Sequence, residues 1–129
     1  MKRILAVDDD PDILMLISKI LDEEGFDVVT AACGLDALEF FGSEPFDLVL
    51  LDVMMPEMDG YTVSNHLRMA GAPRTLPLIF VTAKDDAASI QASFRAGGTA
   101  ILSKPFSRSQ LVKTVRSLLP GDEPAVLAS

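Results

Sequence analysis

Phe46-Asp47-Leu48-Val49-Leu50-Leu51-Asp52, followed by Val53-Met54-Met55-Pro56-Glu57-Met58-Asp59-Gly60, is the stretch that decides the fold. Four apolar residues run straight into a carboxylate, and a loop rich in Pro and Gly follows. An apolar run this short reads as a strand buried on both faces. The pattern recurs on either side. Ile4-Leu5-Ala6-Val7 runs into Asp8-Asp9-Asp10, Leu78-Ile79-Phe80-Val81 into Thr82, and Ala100-Ile101-Leu102 into Ser103-Lys104-Pro105.

Helical patterns fill the intervals. The first strand is expected over Arg3 to Asp8; Asp10 caps the next helix and Pro11 takes its first position. Ile13, Leu16, Ile17, Ile20 and Leu21 recur at helical spacing until Gly25. Phe26 to Ala31 predicts a second strand, with Val28-Val29-Thr30 suited to the pleat. Leu35 to Phe41 predicts a short helix closed by Gly42, and Phe46 to Asp52 the third strand. Tyr61 to Ala70 is the third helix and Pro77 to Thr82 the fourth strand. Asp85 to Ala96 is a weaker fourth helix ended by Gly97-Gly98, and Thr99 to Leu102 the fifth strand. Ser107 and Gln110 make a capping box for a fifth helix that Pro120-Gly121 stops.

Strand then helix, five times over, implies a parallel sheet with helices on both faces. The expected architecture is α/β, a flavodoxin-like (βα)5 doubly wound fold with strand order 2-1-3-4-5. Strands one and three are then neighbours at the switch point, and the chemistry-bearing residues share one sheet edge.

With 129 residues the chain is one domain by size, expected over residues 1–120 with a loose tail at 121–129. A single cysteine, Cys33, excludes an internal disulfide and a cysteine-rich metal site. Only the four residues Ile4 to Val7 separate Met1-Lys2-Arg3 from Asp8, too few for a signal peptide core. No stretch has the length of a membrane helix, so a cytoplasmic location is expected, with no membrane partner. The net charge of −8 and the scattered basic residues argue against direct nucleic-acid binding.

Asp8, Asp9 and Asp52 at close range repel one another, and burial adds to the difficulty of keeping them charged. A divalent cation relieves that repulsion. The ligands are oxygens, so a hard ion, Mg²⁺ or Mn²⁺, is expected. An aspartate beside such an ion can attack phosphorus. The Lys104 ammonium and the Thr82 hydroxyl suit the oxygens of a moving phosphoryl group.

The stretches Ile4 to Asp10, Leu50 to Gly60, Val81-Thr82-Ala83 and Ser103-Lys104-Pro105-Phe106 together resemble the receiver domain of two-component response regulators, from about Lys2 to Leu119. The resemblance implies that Asp52 is the phospho-acceptor, that Asp9 binds Mg²⁺ directly and Asp8 mainly through water, and that the backbone carbonyl of Met54 adds a ligand. It implies Thr82 as the switch hydroxyl, Lys104 as the cation paired with the phosphoryl group, and a cis Lys104–Pro105 bond. The implied donor is a phosphohistidine on a sensor histidine kinase or histidine phosphotransfer protein. The implied output is a partner protein met by the fourth helix, fifth strand and fifth helix. The domain would catalyse only its own phosphorylation and dephosphorylation. Ile101 stands where the family usually has an aromatic switch residue, which implies a switch carried mainly by Thr82 and the loop after it. Met54 and Lys84 match the positions that tune phosphoryl lifetime; apolar Met54 implies slow self-dephosphorylation.

Two other readings compete. Asp8-Asp9-Asp10 contains the Asp-x-Asp of haloacid-dehalogenase-type phosphatases, but there is no later acidic pair and no cap domain, and the Asp52 loop is left unexplained. A pseudo-receiver would lack part of the acidic set. A chain ending soon after the fifth helix is expected to work as a stand-alone module. His66 and Tyr61 are read as ordinary helix residues, Cys33 as a small buried or partly buried thiol rather than a redox sensor, and Met54, Met55 and Met58 as loop packing or a partner patch.

Overall fold

Strands and helices alternate as the apolar pattern requires, in a computed structural model that describes residues 1–83 and 87–119. The order is β1 (Arg3–Val7), α1 (Pro11–Glu23), β2 (Asp27–Ala31), α2 (Gly34–Ser43), β3 (Leu48–Asp52), α3 (Gly60–Met69), β4 (Leu78–Thr82), α4 (Ala87–Arg95), β5 (Ala100–Ser103) and α5 (Arg108–Leu118). The strands form one parallel sheet in the order β2-β1-β3-β4-β5, as expected.

Alternation along each strand divides the core into two layers. Ile4, Ala6, Leu48, Leu50, Ile79, Val81 and Leu102 face α1 and α5, packing on Leu14, Ile17, Leu111 and Val115. Leu5, Val7, Val49, Leu51, Leu78 and Phe80 face the other way, onto Ala37, Val63, Leu67 and Ala96 of the α2–α4 side. β3 and β4 are buried at every position, which explains their unbroken apolar runs.

Local chemistry sets the boundaries. Asp10 caps α1 by accepting the Asp12 N–H at 2.9 Å, Pro11 follows, and Gly25 leaves with φ 91°. Ser107 and Gln110 form the expected capping box of α5. One boundary differs. Gly42 does not close α2; the helix runs through it to Ser43 and stops because Glu44, which precedes Pro45, is held extended at φ −143° and ψ 151°. The expected starts of the fourth helix at Asp85 and of the tail at 121 lie outside the described residues.

Candidate functional site

The register of the central strands builds the site. Val7 of β1 pairs with Leu51 of β3, so the next residues, Asp8 and Asp52, lie side by side at the C-terminal sheet edge. Both are buried, at 1% and 4% exposure, while Asp9 is open to solvent. Carboxylate oxygens of Asp8, Asp9 and Asp52 all lie within 4.8 Å of one another. Asp8 Oδ1 accepts the Asp10 N–H at 2.9 Å, which fixes that carboxylate beside the start of α1. From the far end of the sheet Lys104 reaches in. Its Nζ donates to Asp8 Oδ2 at 2.9 Å and to Asp52 Oδ1 at 3.3 Å. The Lys104–Pro105 bond is cis, as expected, and the Lys104 N–H donates to the Thr82 carbonyl at 2.8 Å.

β4 brings Thr82, 2% exposed, one residue beyond Val81, the register partner of Asp52. The loop after β3 is shaped by two adjacent residues. The Asp59 carboxylate caps α3 by accepting the Thr62 N–H at 2.8 Å. Gly60 donates its N–H to the Val53 carbonyl at 3.0 Å, and a Cβ there would collide with the Asp52 carbonyl oxygen. The Asp-Gly pair is thus a cap followed by a residue that must lack a side chain. Between them and β3, Glu57 holds φ 68°.

Burial pushes the Asp52 carboxyl up to about 6, and the neighbouring Asp8 charge adds to the rise. The Lys104 ammonium and the Met54 N–H, which donates to the Asp52 carboxylate, offset only part of it. For Lys104 burial acts downward, but its hydrogen bond and attraction to Asp8, then to Asp52, prevail, and the net shift is upward. One ammonium faces three carboxylates, an excess of two negative charges when all are ionised. That excess, on hard oxygen donors, fits a divalent cation of the Mg²⁺ type.

The other sequence-marked residues sit apart. Asp10, the second acid of the phosphatase pattern, caps α1 and faces solvent, so it stands outside the three-carboxylate cluster. Ile101 is half-buried against the Phe80 side of the sheet, in register with Phe80. His66 is exposed on α3 with Nδ1 2.9 Å from the Thr62 carbonyl, and half-buried Cys33 precedes α2 without a side-chain cap bond. Met55 and Met58 pack inward, whereas the Met54 side chain is 59% exposed. Lys84 lies outside the described residues. Tyr61 was given no role by its sequence context. Its ring stands edge-on to Phe80 at 5.1 Å, and its hydroxyl lies 3.3 Å from both the Ser89 carbonyl and Ser93 Oγ of α4.

An open parallel sheet with an acidic, lysine-bridged crevice at its switch point defines a class, and comparison with known proteins narrows it. The response regulator receiver domain family matches residues 4–116. The chain is 40% identical over 128 residues to the probable transcriptional regulator ycf27 of Cyanophora paradoxa, a match covering 99% of this chain and 52% of that protein. Chemotaxis protein CheY4 of Vibrio cholerae superposes with TM-score 0.88 at 33% identity, covering 92% of this chain and 98% of that one. Response regulator TrrA of Thermotoga maritima, solved in complex with Mg²⁺ and BeF, gives TM-score 0.81 at 36% identity, covering 92% and 99%.

The chain belongs to the response regulator receiver domain family. Its membership makes it a signal-transduction module, and its acidic cluster is of the kind that could bind Mg²⁺. It spans about half the length of the curated relatives it matches. Among the described residues no helix is long and apolar enough to cross a membrane.

Proposed function

We propose that this chain takes a phosphoryl group from a phosphohistidine of a sensor histidine kinase or histidine phosphotransfer protein onto Asp52. The reading is supported above all by the convergence of Asp8, Asp9 and Asp52 within 4.8 Å beside the Lys104 ammonium. Asp8, Asp9, Asp52 and the Met54 backbone carbonyl would hold Mg²⁺ or Mn²⁺, which when bound neutralises charge on phosphoryl oxygens.

The chain's own groups do the rest. A carboxylate oxygen of Asp52 forms the new bond to phosphorus while the bond from phosphorus to the imidazole nitrogen breaks, and the imidazole keeps that electron pair. Lys104 pairs with the transferred group's oxygens, and the Thr82 hydroxyl donates to them. Chemistry is confined to the domain's own phosphorylation and dephosphorylation. Because Met54 offers no polar side chain to orient water, the aspartyl phosphate is long-lived, with a half-life well beyond seconds.

The receiver domain occupies residues 1–120, with 121–129 as a tail. The phosphoryl group biases two conformations of the α4–β5–α5 face, with Ile101 and Thr82 inside the switching region, and that face meets an output partner. The receiver itself touches neither nucleic acid nor membrane, and works in the cytoplasm. Where a relative is a transcriptional regulator, that activity belongs to the whole protein.

Incubation with Mg²⁺ and acetyl phosphate, followed by intact mass measurement, tests the assignment. The wild-type chain gains one phosphoryl group and Asp52→Asn gains none. Equal uptake by the variant, or none by wild type, overturns it.

A further inference from the structure

On α3, Tyr61, Ser64 and Arg68 fall at i, i+3 and i+7, which places them on one helix face. All three reach α4 or the residues just after it. The hydroxyl of fully buried Ser64 donates to the Ala96 carbonyl. The Arg68 guanidinium donates to the Gly97 carbonyl at 2.8 Å and to the Leu76 carbonyl at 3.0 Å. The Tyr61 hydroxyl meets the Ser89 carbonyl and Ser93 Oγ, and the fully buried Ser93 in turn donates to Ser89 O at 3.0 Å. The C-terminal end of α4 is therefore held by two side chains, one of them charged, and charged donors make the stronger hydrogen bonds. The earlier turns, around Ser89 and Ser93, are reached from α3 by the Tyr61 phenol at the longer distance of 3.3 Å.

The same phenol is tied to the acidic crevice. Tyr61 follows Gly60, whose N–H is bonded to Val53 and which has no clearance against the Asp52 carbonyl. Its ring leans on Phe80, two residues before Thr82. Phe80 in turn packs closely on Gly98, where a Cβ would stand only 2.6 Å from its Cδ2. The closely packed Gly60 backbone and the Tyr61 ring seated on Phe80 thus give a contiguous route from the Asp52 loop to the Tyr61 hydroxyl.

We propose that Tyr61 is a positioning residue that couples the Asp52 crevice to α4, its hydroxyl being the releasable contact and the Ser64–Arg68 pair the pivot. The input signal rests on the reading of Asp52 as phosphoryl acceptor; the contact in the unmodified protein does not.

Tyr61→Phe in the full chain keeps the ring and removes only the hydroxyl. Amide hydrogen exchange is followed with and without Mg²⁺ and beryllofluoride, a phosphoryl mimic, alongside phosphoryl uptake from acetyl phosphate. In the unmodified proteins exchange over residues 87–93 rises roughly two- to tenfold in the variant, the range set by one net hydrogen bond, while residues 96–98 and β4 are unchanged. Ser93→Ala, a separate variant, gives the same local pattern. In wild type the mimic loosens residues 87–93 and shifts the fluorescence of Tyr61, the single tyrosine of a chain without tryptophan. In Tyr61→Phe the mimic adds nothing further, and uptake matches wild type.

Identical exchange in the two unmodified proteins, or loosening that spreads to β4, overturns the contact. An undiminished response of Tyr61→Phe to the mimic overturns the coupling. Absence of uptake in wild type overturns the Asp52 reading instead, and the unmodified proteins still decide the contact.

Discussion

Asp52 is ionised at neutral pH in a setting that disfavours its charge. In the folded chain its carboxyl titrates at about 6, above the ordinary value of 3.8. Between those values the folded state binds a proton that the unfolded state does not. The stability tied to this group is therefore complete below about pH 4 and is lost as pH rises through 6. Without metal, Asp52→Asn is expected to be more stable than wild type at pH 7 by about 1–3 kcal/mol, with the gap closing toward pH 4. Chemical denaturation at pH 4, 5.5 and 7 checks this; a gap that widens on acidification refutes it. Lys104 is the complementary case. Lys104→Met leaves Asp8 and Asp52 buried together with no nearby ammonium, and metal-free stability should fall by about 2–4 kcal/mol. Added Mg²⁺ should restore most of that loss in a melting experiment.

At the scale of elements, what was legible in the sequence was whatever short-range chemistry controls. The apolar runs announced β1, β3 and β4 because those strands are covered on both faces, and Asp10, Ser107 and Gln110 announced helix starts because a cap acts within three residues. The end of α2 was misread because Gly42 is permissive rather than obligatory as a stop, while the constraint came from Pro45 acting on Glu44. The Asp52 loop was recognised as a loop, but not why its Gly is needed: the clash with the Asp52 carbonyl exists only once α3 has packed under β3. Gly60→Ala should accordingly cost about 1–3 kcal/mol and reduce phosphoryl uptake, whereas Gly42→Ala, with open space around it inside α2, should be neutral or stabilising. Thermal melts of the two variants separate these cases. Tyr61 was invisible for the same reason, since its partners Ser89 and Ser93 lie 28 and 32 residues away.

Taken whole, the molecule is two apolar layers sharing one sheet, with a cluster of acids, two of them buried, and one lysine at its C-terminal edge. The excess negative charge in that crevice couples metal binding to global stability. Mg²⁺ should raise the melting temperature in proportion to the logarithm of its concentration once the site saturates. The rise should shrink below pH 6, as Asp52 takes up a proton that competes with the ion; a rise that persists unchanged at pH 5 would count against Asp52 as a ligand. Lys104 and Asp8, the two ends of the closing contact, are separated by 96 positions. Asp52, the proposed acceptor, likewise precedes by 52 positions the ammonium that completes the crevice. Of the five strands of this sheet β5 is made last, so a copy truncated before it should take up no phosphoryl group from acetyl phosphate, which intact mass measurement checks.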